Sequence, residues 1–186
     1  TSGDAIEVDF NQFEAGAFAT TPMASAGAAR NTDVLSYPSG ISDVVGTCYA
    51  EVSSSWVTAV VVSGGSAILG AGAGGGAPTP FGVASGAAST TIRISDQTTN
   101  TAKSGLTDMS TAVRKRACSW GGSTEVVTGD GVSVTSGAFD GTIGDGSSAL
   151  SIGVGAAGAN PWYGTIKNVR IWTSQLPDAT LQALTA

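Results

Sequence analysis

The chain contains no histidine and only two cysteines, Cys48 and Cys118, in 186 residues. A Ser-His-Asp or Cys-His nucleophile therefore cannot form. Two thiolates and scattered carboxylates do not make a normal four-ligand zinc site either. Basic residues are scarce: eight Lys and Arg stand against fourteen Asp and Glu, for a net charge of −6. Phosphate binding rests on Lys and Arg, so this balance argues against nucleic acid and against anionic membranes. No run of about 18 apolar residues occurs, so no membrane insertion is expected. Gly72 to Gly76 lacks the Gly-Lys-Ser/Thr ending of a phosphate loop and leads into no helix. Thr1-Ser2-Gly3-Asp4 offers neither a basic nor an apolar stretch, so no secretory leader is expected. The missing initiator Met suggests a processed product or an excised domain.

Glycine is what the chain has in quantity, 27 residues, while charged residues make up only 12%. That composition fits short strands joined by many turns. The length suits one all-β domain with a full core. Residues 5–10 alternate apolar and acidic side chains, the pattern of a half-buried strand. A strand over 46–52 puts Cys48 and Ala50 on one face and Tyr49 on the other. The apolar run 57–63 reads as a strand buried on both sides. Residues 64–88 read as a loop around one short strand at 67–70. Residues 90–95 and 113–120 are further strands. Residues 125–128 and 132–135 read as a hairpin around Gly129-Asp130-Gly131. In the last strand Val169 and Ile171 point to one face and Arg170 and Trp172 to the other. That strand, 163–172, is expected to be buried. Pro177 and Asp178 then open a short helical segment carrying Leu181 and Leu184.

The ending Tyr163-Gly164-x-Ile166-x-x-Val169-Arg170-Ile171-Trp172, then Leu176-Pro177-Asp178 and Leu181-x-x-Leu184, resembles a known closing strand. It is that of concanavalin A-like sandwiches of the laminin G and pentraxin type. It is also similar to the ends of phage virion and tail proteins sharing that fold. The order strand, Ser119-Trp120-Gly121-Gly122, Asp-Gly hairpin, Leu150-x-Ile152-Gly153 resembles the same domains. Ala29-Arg30-Asn31-x-Asp33-Val34-Leu35 resembles the early part of the phage domains. The resemblance implies an all-β, two-sheet antiparallel jelly-roll sandwich with few short helical turns. Residues 1–186 form one domain on this reading, and 1–28 allow a second reading as an N-terminal appendage. The fold mostly hosts glycan-binding modules, with some glycan-cleaving enzymes among them.

Glu7-Val8-Asp9-Phe10-Asn11 is close to the Glu-x-Asp-x-Glu strand of retaining glucanases of this fold. Retaining hydrolysis needs two carboxylates about 5 Å apart, and Asn11 stands where the general acid belongs. No catalytic residue and no enzyme is therefore expected. Asp96, Asp108, Asp130, Asp140 and Asp145 lie near turns, but no segment supplies the six to eight oxygens of a calcium site. Turn chemistry explains the Asp-Gly pairs. No cofactor or metal ligand is expected, with calcium as the weaker alternative. Cys48 and Cys118 read as free buried thiols, with a bridge as the alternative.

Sugar rings stack on aromatic side chains while their hydroxyls pair with Asn, Asp and Arg. Trp56, Trp120, Trp162, Trp172, Tyr37, Tyr49 and Tyr163 are the rings available. Trp162 follows Pro161 in a loop and is the ring expected to be most open. Asn160 stands ready to bind a hydroxyl beside it. Tyr163, Trp172 and Arg170 complete the expected carbohydrate-binding set. Each ring also has a core-packing reading. Arg114-Lys115-Arg116 reads as a solvated sheet face, with an acidic glycan as the alternative.

These readings lead to a non-catalytic carbohydrate-binding or receptor-recognition domain of a phage virion or tail protein. Its partner would be a glycan or cell-surface polysaccharide, met on the virion or outside the cell. The competing reading is a structural decoration or fibre domain that self-associates as a homo-oligomer or with virion partners. A glycan hydrolase is the third.

Overall fold

The computed structural model describes residues 35–37, 42–54, 66–71, 81–83, 89–96, 98–143, 150–154 and 161–186. All fall in the unit Val34–Ala186. The expected strand 5–10 with Glu7, Asp9 and Asn11, the segment 1–28, the run 57–63, Trp56, Asp145 and Asn160 lie outside the described residues.

Two antiparallel sheets and one short helix make up the described chain. One sheet runs in the order β1 (Leu35–Tyr37), β10 (Leu150–Ile152), β3 (Ser66–Ala71), β4 (Phe81–Val83), β5 (Ile92–Ser95), β6 (Asn100–Lys103). The other runs β11 (Gly164–Trp172), β2 (Gly46–Ser54), β7 (Arg114–Gly121), β8 (Thr124–Gly129), β9 (Thr135–Ala138). Helix α1 spans Asp178–Thr185. Both sheets contribute to one core, so the all-β sandwich class stands.

Alternation builds that core. Cys48, Ala50 and Val52 of β2 and Cys118 and Trp120 of β7 point inward to meet Ile68, Leu69, Phe81, Ile92 and Ile94 of the other sheet. Gly46 is required here, because a Cβ would enter the Trp120 ring. The opposite face of β2, β7 and β8 presents Tyr49, Ala117 and Val126 to Leu181 of α1. Trp172, Leu176, Leu184 and Val134 pack against this second cluster. The helix thus roofs part of the outer face, as the Leu181–Leu184 spacing requires.

Four expectations need correction. Residues 64–88 hold two strands, since Phe81–Val83 pairs with β3 and β5 through a fully buried Phe81. The second strand of the hairpin is 135–138, not 132–135. Val134 instead turns to pack near α1, and Asp130 and Gly131 both adopt positive φ in the turn. Strand β11 is half-buried, not buried: only Ile166, Val169 and Ile171 pack on the core. Among the described residues it pairs with β2 alone.

The fourth concerns the basic run. Arg116 shares the inward phase of Cys118 and Trp120 and is 0% exposed. Its charge is met by Asp130 at 2.5 Å and by the carbonyls of Thr107 and Lys115 at 2.7 and 2.9 Å. Burial works to raise the Asp130 carboxyl, yet Arg116 and the Thr107 amide hold it below its ordinary value. Removing one partner of such a pair costs about 3–5 kcal/mol.

Candidate functional site

The outer face of β2 and β11, beside the roof formed by α1, carries a set of polar groups fixed by one another. Register sets the arrangement. Glu51 stands between Lys115 of β7 and Lys167 of β11, and Tyr49 stands between Ala117 and Arg170. Directly paired residues share a face, so these side chains neighbour one another.

A bulge makes this register possible. Two steps along β2, from Glu51 to Tyr49, match three along β11, from Lys167 to Arg170. Asn168 takes up the extra residue at φ 50, a left-handed conformation that Asn adopts more readily than most residues. Both Lys167 and Arg170 therefore face outward, while Ile166 and Val169 both reach the core. The strand begins at Gly164, where a Cβ would run into the Ser53 carbonyl.

Hydrogen bonds then fix the acid. The Tyr49 hydroxyl donates to Glu51 Oε1 at 3.1 Å, and Lys167 Nζ lies 3.7 Å from Oε2. The Asn168 side chain bonds the same carboxylate. That bond leads the effects holding Glu51 below the ordinary carboxylate range, with Tyr49 and Lys167 adding to it against burial. Tyr49 is pushed up to about 12, first by burial and then by Glu51. Arg170 is exposed, its guanidinium carbon 6.0 Å from the Tyr49 ring centroid. Lys115 Nζ donates to the backbone oxygen of Ala186, the last residue. The face thus presents a fixed carboxylate, an amide, a guanidinium edge and a lysine, the groups that pair with sugar hydroxyls.

The expected site residues separate. Arg170 is in this cluster. Trp172 shares its face but packs into the second apolar cluster. Tyr163 is 50% exposed at the start of β11, at the other end of the strand from Arg170. Trp162, expected as the open platform, is 8% exposed and belongs to the core. Its Nε1 donates to the Ser53 carbonyl at 2.9 Å, and its amide to the Gly153 carbonyl at 2.8 Å. The loop after Pro161 turns inward because the backbone at Ser53 and Gly153 meets both of its N–H groups. Glu51, Lys167 and Asn168 were not expected. The spacing of three between Ile166 and Val169, against two between Val169 and Ile171, is the signal that a strict alternation overlooks.

The aspartates do turn work. Asp96 accepts from the amides of Thr98, Thr99 and Asp140 at 2.8, 2.5 and 2.9 Å. Asp140 accepts from the Thr142 amide and the Thr98 hydroxyl. Asp108 accepts from Ser89 Oγ and the Ser110 amide. Among the described residues, no three His, Cys, Asp or Glu side chains converge on a point that could hold a metal ion. No helix among them is long and apolar enough to cross a membrane.

One buried acid stands apart. Glu125 is 0% exposed, paired in register with Trp120 and Gly137. Burial first, and the nearby Asp96 charge, push its carboxyl up to about 7, with Thr101 working against them.

No protein-family model matches the chain, and no curated protein matches it. Solved structures do. Domain 4 of AbnA, a GH43 extracellular arabinanase from Geobacillus stearothermophilus, solved with arabinotriose, matches at TM-score 0.54 and 15% identity. The match covers 77% of this chain and 67% of that one. A Trypanosoma rangeli sialidase in complex with the inhibitor DANA matches at TM-score 0.51 and 19% identity. There the match covers 77% of this chain but only 23% of the sialidase. Likeness at such identity shows a shared fold. It also corrects one expectation. The matching structures include an arabinanase domain and a sialidase, so the exclusion of an enzyme, argued from the missing His and from Asn11, does not stand.

Proposed function

We propose that this chain is a carbohydrate-binding sandwich that holds a glycan on the outer face of β2 and β11. The observation that carries the reading is the fixed cluster of Tyr49, Glu51, Lys167, Asn168 and Arg170. Glu51 is held by Tyr49, Asn168 and Lys167 before any ligand arrives, which lowers the ordering cost of binding. Tyr163, exposed where β11 begins, is a ring on which a longer glycan would extend. The arabinotriose complex of domain 4 of AbnA supports a sugar ligand for this architecture.

The strand order is compatible with a concanavalin A-like jelly roll, and we take residues 1–186 as one such domain. The closing-strand resemblance supports a parent that is a phage virion or tail protein, meeting cell-surface polysaccharide outside the cell. A shallow face of this kind gives a Kd from micromolar to millimolar, about 4–8 kcal/mol. Useful attachment then comes from repeated copies.

A glycan array on the purified chain, run with and without calcium, tests this. Binding that falls at least about tenfold in Arg170→Ala and in Asn168→Ala is expected. A chain that binds no glycan and forms a stable oligomer would instead establish the self-association reading.

A further inference from the structure

The β2–β11 face carries more positive charge than it neutralises. Only eight residues of the chain are Lys or Arg. Lys115, Lys167 and Arg170 stand on this one face, on two strands flanking β2, with Glu51 the acid between them. Glu51 is already held by Tyr49, Asn168 and Lys167. Lys115 is drawn to the backbone oxygen of Ala186, the last residue. Arg170 is left: among the described residues no carboxylate pairs with it, and its contact is the face of the Tyr49 ring.

That contact leaves Arg170 exposed while supporting its guanidinium from one side. A supported guanidinium offers parallel N–H groups in a fork matched to a carboxylate, and loses less freedom on binding than a lysine. The chain as a whole is acidic, net −6, although three of its eight Lys and Arg stand on this face, so this face is where an acidic ligand is attracted.

We infer that the β2–β11 face recognises a carboxylate-bearing sugar, a uronate or similar acid, with Arg170 receiving the carboxylate and Asn168 and Lys167 its neighbouring hydroxyls. The inference rests on the carbohydrate-binding reading and names the ligand class for that site.

The test is calorimetric titration with tetragalacturonate, with its methyl ester, and with a sulfated neutral oligosaccharide. Esterification removes the charge and keeps the rings, so the pair isolates the carboxylate. The acid should bind at least about tenfold more tightly than the ester, in line with a charge-assisted fork. Arg170→Gln should bring the acid down to the level of the ester with an unchanged melting temperature, and Arg170→Lys should keep only part of the preference. Lys167→Gln, a second exposed site, should weaken both acid and ester. Equal affinity for acid and ester overturns the inference, as does a preference that survives Arg170→Gln. Sulfate bound as tightly as carboxylate overturns it too, by reducing the face to a general anion site. Measurable binding of both acid and ester with no preference between them would end this inference and leave the carbohydrate reading standing. Binding to none of the glycans would end both.

Discussion

Cys48 and Cys118 face each other as a directly paired couple across β2 and β7, and both are free thiols buried in the core. Burial, then contact with Cys48, pushes the Cys118 thiol well above its ordinary value. A thiol in that state is a poor nucleophile, because the thiolate is the reactive species. A thiol reagent should therefore find no reactive group in the native protein and two after denaturation. A non-reducing peptide map showing a Cys48–Cys118 bridge would refute this.

Glu125 gives stability a slope against pH. Its folded value, about 7, lies above the ordinary 4.5, so the native state binds the extra proton between them. The stabilisation is fully present below about 4.5 and is lost as pH rises through about 7, roughly 3 kcal/mol over that window. Asp96 and Asp130 act the other way. Both are lowered from 3.8, so their contribution is present above that value and disappears as pH falls below it. Urea unfolding should show a maximum near pH 4–5. Glu125→Gln should flatten the fall between pH 5 and 8 and exceed the parent at pH 8. A parent as stable at pH 8 as at pH 5 would remove Glu125 as a buried acid.

What the sequence made legible was whatever alternation controls. The phases of β2 and β11 could be read from Cys48-Tyr49-Ala50 and from Val169 and Ile171. The Leu181–Leu184 stripe gave the helix. Three features escaped because tertiary partners decide them. Arg116 is buried since Asp130 and the Thr107 carbonyl reach it from outside its own strand. Trp162 leaves its loop because distant carbonyls accept its N–H groups. The bulge at Asn168 shifts the phase of half a strand, and only the uneven spacing of Ile166, Val169 and Ile171 betrays it. The site followed the same division: Arg170 was visible as an outward residue, whereas Glu51 enters only through cross-strand register.

Trp162→Ala should act on stability first. The ring is part of the core and its Nε1 bonds the Ser53 carbonyl. Truncation of a buried Trp costs about 3–5 kcal/mol. Trp162→Phe keeps most of the packing and loses the hydrogen bond, about 1 kcal/mol. Chemical denaturation measures both. A Trp162→Ala protein that unfolds at the parental midpoint would return the ring to the surface.

The bulge at Asn168 links fold to site, and glycine separates its two roles. Asn168→Gly keeps the positive φ without steric conflict but removes the side-chain bond to Glu51. Asn168→Val removes the bond and also forces a β-branched residue into the left-handed region, about 1–2 kcal/mol. The Gly variant should therefore unfold close to the parent and the Val variant measurably earlier. In both, the Glu51 carboxyl should titrate higher than in the parent, because the leading effect that lowers it is gone. Carboxyl resonances followed by NMR across pH read this directly. Glycan affinity should fall in both variants, since Glu51 is no longer fixed against Tyr49 and Lys167. If Val and Gly prove equally stable, the backbone at 168 is not left-handed, and the register that gathers Arg170 and Lys167 on one face fails with it.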